Sequence, residues 1–175
     1  MARQLRACAS CLIVGLLLIP WNASAQDREV NPIGRAIKAT FLDPMTYPPA
    51  MLTYDGTMRD WQTSQPFFKN GFVEQNPRFT LSGRPGDRAV SYETGRNQIL
   101  KDSLSVLAVS AVHNFSTQLI EQALRDRYPE HRKMVTAIGW IERSAVASLM
   151  SYQLAGPHYR QWRDNQRLIA ELGIR

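Results

Sequence analysis

The chain has 175 residues, with 21 lysines and arginines against 15 acids and a formal net charge of +6. That length fits one domain. The basic excess, mostly arginine, is strung along the chain rather than gathered, which argues against nucleic-acid binding. Both cysteines, Cys8 and Cys11, lie close to the start, so the rest of the chain excludes disulfides, thiolate chemistry and a cysteine metal site.

Residues 1–25 read as a secretory signal. Arg3 and Arg6 charge its start, residues 12–20 (LIVGLLLIP) form a short apolar run, and Ala23-Ser24-Ala25 offers a cleavage site before Gln26. The run is too short to span a bilayer; an uncleaved anchor is the alternative. The signal takes two basic residues and no acid, leaving 26–175 as a single helical domain of charge +4. A chain of about 150 residues buries roughly two thirds of its unfolded surface, so no metal or covalent staple is needed. Small exported animal domains are often disulfide-dense. A cysteine-free exported chain therefore suits a bacterial envelope, and the expected location is periplasmic or secreted.

Residues 32–41 (PIGRAIKATF) set Ile33, Ile37 and Phe41 at spacing four on one side of a short helix. Asp43-Pro44 and Pro48-Pro49 then punctuate the chain. Proline is tolerated in a first helical turn, so the next helix is read over 49–64, with Met51, Leu52, Met58 and Trp61 as its apolar positions. Pro66 ends or kinks it. Asn70-Gly71 signals a turn or helix cap, and Asn76-Pro77 holds the chain extended. Residues 78–88 (RFTLSGRPGDR) read as a loop, in which an extended Phe79-Thr80-Leu81 finds no nearby strand to pair with.

Two long helices follow, joined at Arg127-Tyr128-Pro129-Glu130. Ser91 or Thr94 caps the first, whose core stripe is Leu100, Leu104, Leu107, Ala111, Phe115, Leu119 and Leu124. From Leu104 to Val112 it is apolar nearly all round, which predicts burial on more than one side. The second begins at Pro129, with Met134, Ile138, Ile141, Ala145, Leu149 and Tyr152 as its stripe. Its small residues Ser144, Ala147, Ser148 and Ser151 let a neighbour approach closely. Gly156-Pro157 stops it, and a last amphipathic helix covers 158–172 with Gly173 as its cap. The fold class is all-α: a compact bundle of four to five helices built around the long hairpin at 95–155.

A membrane hairpin is the alternative to a water-soluble bundle. Against it, His113, Asn114, Gln118 and Glu121 interrupt the first long helix, and Glu142 and Arg143 sit mid-way along the second. Each charge at a bilayer centre costs about 2.5–3.5 kcal/mol on insertion scales.

Five residues are the candidates for chemistry: His113, Glu142, Arg143, Asp60 and Glu74. In an antiparallel hairpin turning near Pro129, His113 lies 16 residues before the turn and Glu142 13 after it, which allows a contact between them, a pair suited to proton transfer or to fixing helix register. Asp60 and Glu74 could act as a carboxylate pair, or simply be solvated, with Glu74 folding back to cap or to meet an arginine. Asp60 and Thr63 share a helix face. The three histidines have no zinc spacing, and no Walker, dinucleotide or nucleophile-elbow motif occurs. No metal and no cofactor are expected.

Asp60, Thr63, Asn70-Gly71 and Glu74-x-Asn76-Pro77, followed by two apolar helices, resemble a group of small uncharacterised bacterial proteins. In these an Asp/Thr helix, a Gly turn and a Glu-x-Asn-Pro element precede membrane helices. The likeness covers about a third of the chain after the signal, and the helices here are less apolar. It implies membrane association and no particular activity. The expected function is a helical binding or structural module of the envelope, meeting an envelope protein or a membrane surface. A small periplasmic hydrolase using His113/Glu142 or Asp60/Glu74, or a membrane-embedded hairpin, is the alternative.

Overall fold

Asn31 opens the described structure by capping its first helix: its side-chain oxygen accepts from Ile33 N and Gly34 N at 3.0 and 3.3 Å. This computed structural model describes residues 31–173, so the signal read at 1–25, with both cysteines, lies outside them. Four α-helices follow: α1 (Pro32–Leu42), α2 (Pro48–Lys69), α3 (Tyr92–Arg127) and α4 (Arg132–Leu172). The fold is an all-α bundle, with no strand among the described residues. Each connection has a capping residue or a proline at its start. Asp43 accepts from Met45 N at 2.9 Å in the α1–α2 corner, and Ser91 accepts from Thr94 N at 3.1 Å ahead of α3.

α3 and α4 form the expected antiparallel hairpin, but its two helices do not touch most. The broadest interface is between α2 and α4, followed by α2 with α3 and α1 with α3. α2 and α4 run parallel, since Asp55 meets Tyr159 and Ser64 meets Asn165 further along both. At Gly56 the helices are so close that a Cβ would lie 3.3 Å from the Ala155 carbonyl oxygen.

That contact bears on a correction. α4 does not stop at Gly156-Pro157 but continues unbroken to Leu172, absorbing the separate last helix. Pro157 has no N–H to give the carbonyl four residues back, at Gln153. Gln153 is exposed, and the helix runs on through Pro157 while packed on α2. α2 likewise passes Pro66 and ends at Asn70, whose side chain donates to Pro66 O at 2.9 Å. Gly71 and Gly173 follow their helices in the left-handed region.

The end of the bundle holding the second half of α2 and the start of α3 has a conventional core. Met58, Trp61, Phe79 and Ile99 are buried together, with Tyr54, Phe68 and Val90 packed on them. The Trp61 indole lies 5.2 and 5.5 Å from Phe79 and Phe68, and its N–H donates to Tyr92 O at 3.1 Å. The loop before α3 covers this core. Phe79-Thr80-Leu81 does find a partner: Val90 N donates to Phe79 O and Leu81 N to Arg88 O, at 2.8 and 2.9 Å.

The other end is built the opposite way. On α3 the buried line is Ser103, Ser110, Asn114, Gln118 and Glu121, while Leu100, Leu104, Val109, Val112, Ile120 and Leu124 are exposed, Val112 to 65%. On α4 the small face turns inward through Gly139, Arg143, Ala147 and Ala155, and Met134, Ile138, Ile141, Leu149 and Tyr152 point outward. The predicted apolar core stripes are therefore overturned at both helices, as is the all-round burial predicted for 104–112. The helical period is right, but the face that packs is the polar and small one. Ile33, Ile37, Phe41 and Leu42 on α1 are exposed in the same way. No helix among the described residues is long and apolar enough to cross a membrane.

Candidate functional site

The buried polar line converges on Arg143. Its Nη1 donates to Glu121 Oε2 at 2.8 Å, and its Nε lies 2.6 Å from Asp43 Oδ2. The second contact is close without hydrogen-bond alignment, so it acts as a charge contact. All three side chains are almost completely enclosed, at 5, 4 and 7% residue exposure for Arg143, Glu121 and Asp43. Gly139 makes the room: a Cβ there would sit 2.5 Å from Glu121 Oε2. Arg125 reaches the other Glu121 oxygen at 3.4 Å, so two cations answer two carboxylates. Beside them Asn114 donates to Thr46 Oγ1 at 2.8 Å, Thr46 donates to Thr40 O at 2.7 Å, and Gln118 reaches Asp43 Oδ2 at 3.4 Å. The set draws on α1, the corner after it, α3 and α4.

Arg143 was a candidate from the sequence; Asp43 and Glu121 were not. Asp43 read as punctuation, because Asp-Pro marks a turn, and its cap role is indeed filled by one oxygen while the other meets Arg143. The usable signal was the polar line itself, whose members recur on one helical face of an otherwise apolar helix.

His113 and Glu142 come together across the hairpin, with His113 Nε2 2.9 Å from Glu142 Oε1 and Thr117 donating to Glu142 Oε2 at 3.1 Å. The His113 contact also lacks hydrogen-bond alignment. Glu142 does not join Arg143, although both meet α3, at Thr117 and at Glu121.

Asp60 and Glu74 line one cavity of about 740 Å³ between α2, the following loop and the end of α4. Glu74 is used locally, its Oε1 accepting from Asn76 N at 2.7 Å. Asp60 has another partner: His158 Nδ1 lies 2.8 Å from its Oδ2, and Asn165 donates to Oδ1 at 3.3 Å. Asn165 is itself braced by Ser64 and Thr63 at 3.0 and 3.3 Å. With Nδ1 engaged, His158 Nε2 has no protein partner among the described residues. An imidazole oriented by a braced carboxylate beside a cavity can pass a proton. The sequence placed His158 at a helix start, and the continuation of α4 is what brings it onto α2. Nearby, Asp55 accepts from Arg59 Nε and Tyr159 Oη, both at 2.7 Å. The Arg59 bond, then the Tyr159 bond, hold its carboxyl below the usual carboxylate range.

Among the described residues, no three His, Cys, Asp or Glu side chains are placed to hold a metal ion. Compared with known proteins, the chain matches no family model, no curated protein and no solved structure.

Proposed function

We propose that the protein is an exported, membrane-bound helical module, seated with one apolar end of its bundle in lipid. The observation that carries this reading is the reversed burial: paired charges and amides inside, large aliphatic side chains outside on three helices. Exposed apolar patches beyond a few hundred Å² mark an interaction site, and water penalises them by roughly 25 cal/mol per Å². A single protein partner would cover one face, whereas lipid surrounds several helices at once. The interior obeys the rule for apolar surroundings: Arg143 is answered by Asp43 and Glu121, and the Asn114 and Gln118 amides are bonded. The likeness of Asp60, Thr63 and Glu74-x-Asn76-Pro77 to small membrane-associated proteins points the same way.

The test is flotation of the purified protein with phosphatidylcholine vesicles, with native fractionation alongside. Co-flotation that survives salt washing and yields only to detergent supports the reading. A monodisperse monomer in plain buffer that stays at the bottom of the gradient while the vesicles float sinks it, as does a dimer indifferent to vesicles.

A second reading rests on Asp60–His158. We infer a proton-transfer site there, acting on a substrate in the 740 Å³ cavity shared with Glu74. A substrate screen comparing the natural chain with His158→Ala decides it. A turnover lost in His158→Ala and Asp60→Asn but kept in His113→Ala is the expected result. Equal activity in all of them removes it.

A further inference from the structure

Beside the turn between α3 and α4 lies a second cavity, of about 840 Å³. Its charged lining is Arg35 from α1, Arg125 and Asp126 from α3, and Arg132, Lys133 and Arg143 from α4. Arg143 is committed to Asp43 and Glu121, and Arg125 leans on Glu121 and on Thr136 Oγ1. Arg132 uses only its Nε, on the Arg125 carbonyl at 3.3 Å. Arg35, Arg132 and Lys133 have no carboxylate partner among the described residues. Three cations from two helices thus face one cavity, with Asp126 alone opposing them. They repel one another unless an anion sits between them.

The rest of the wall is apolar. Trp140 and Ile141 line the cavity and are both more than half exposed, and they continue into Ile138 and Met134 on the same helix. A free anion would have no use for that wall. An amphiphile uses both parts, with its charged head among the guanidiniums and its chains along the aliphatic side of α4. Indole rings favour the depth at which headgroups meet hydrocarbon.

We propose that this cavity binds the phosphate-bearing headgroup of an anionic membrane lipid, with Arg35, Arg132 and Lys133 holding the phosphate and Trp140 and Ile141 bordering the acyl chains. This rests on the membrane-bound reading above and adds the lipid class. Guanidinium pairs bind phosphate oxygens in bidentate fashion, and Lys133 adds a point charge.

The experiment is flotation of the full chain with vesicles of phosphatidylcholine alone and of phosphatidylcholine with phosphatidylglycerol, over a salt series. Binding to the anionic vesicles is expected to be at least tenfold tighter at low salt. Arg35→Ala, Arg132→Ala and Lys133→Ala should each lower that preference, by roughly fivefold per charge removed. Arg163→Ala and Arg167→Ala, at the far end of α4, should leave it intact. Thermal unfolding of each variant shows that the fold survives. Equal binding to both vesicles overturns the headgroup site while the membrane-bound reading stands. Binding to neither overturns both. Protection of the same three residues by inorganic phosphate, with no vesicle preference, assigns the cavity to a free anion and overturns the lipid.

Discussion

Arg143 is the cation that two enclosed carboxylates share. Removing one partner of a buried pair costs about 3–5 kcal/mol, since the remaining charges lose compensation and cannot reach water. Arg143→Ala should therefore lower thermal stability sharply. Combining Arg143→Met with Asp43→Asn and Glu121→Gln should recover most of the loss, and an Arg143→Ala protein as stable as the natural one would contradict the burial described here. The sequence exposed Arg143 and the His113–Glu142 proximity, because hairpin register is simple arithmetic about a turn. It hid Asp43 and His158, whose partners lie on helices far away in the chain, where spacing carries no information.

At the scale of elements, the junction of α2 with α3 depends on Gly95. Its missing side chain leaves room for the Trp61 indole, which is fixed by Phe68, Phe79 and the bond to Tyr92 O. The ring cannot give way, so Gly95→Ala should cost about 1–3 kcal/mol as an overpacking change, read by denaturant unfolding. The α2–α4 junction should show a pH signature instead. Asp55 is held below its ordinary range, first by Arg59 and then by Tyr159. Its contribution is therefore complete above about pH 4, the unfolded value, and is lost as pH falls through the lowered folded value. Tyr159 is raised by burial and then by Asp55. Its contribution is complete below about pH 10 and lost as pH climbs through the raised value. Asp55→Asn should flatten the acid side of a stability–pH profile and lessen the alkaline loss; an unchanged profile would rule out this link. The helices themselves were legible, with the caps at Ser91 and Gly173, but not those at Asn31 and Asp43. Their ends were not, because Pro66 and Pro157 stop isolated helices, whereas here packing on a neighbour outweighs one missing hydrogen bond.

For the whole molecule, periodicity located two helical faces correctly and assigned the wrong one to the interior. The rule that apolar faces pack inward assumes water outside. Small residues let α4 approach its neighbours, and the polar line of α3 satisfies itself within the bundle, so the aliphatic faces were left over. Replacing Val109, Val112, Ile138 and Ile141 with glutamine should keep the helical circular dichroism, since none of the four is buried. On the proposed membrane-bound function it should also abolish vesicle binding; a variant that still floats would show that these positions do not face lipid. The Asp43–Glu121–Arg143 cluster also governs the order in which the chain can be finished. Asp43 is made early and Arg143 late, and until α4 has docked, Asp43 lacks its counterion and Glu121 has only Arg125, at 3.4 Å. A chain cut short before Arg143 would lack the cation that lets Asp43 and Glu121 be enclosed. The cluster therefore works as a completeness check on the fold, since this part of the bundle closes only when the last helix is in place.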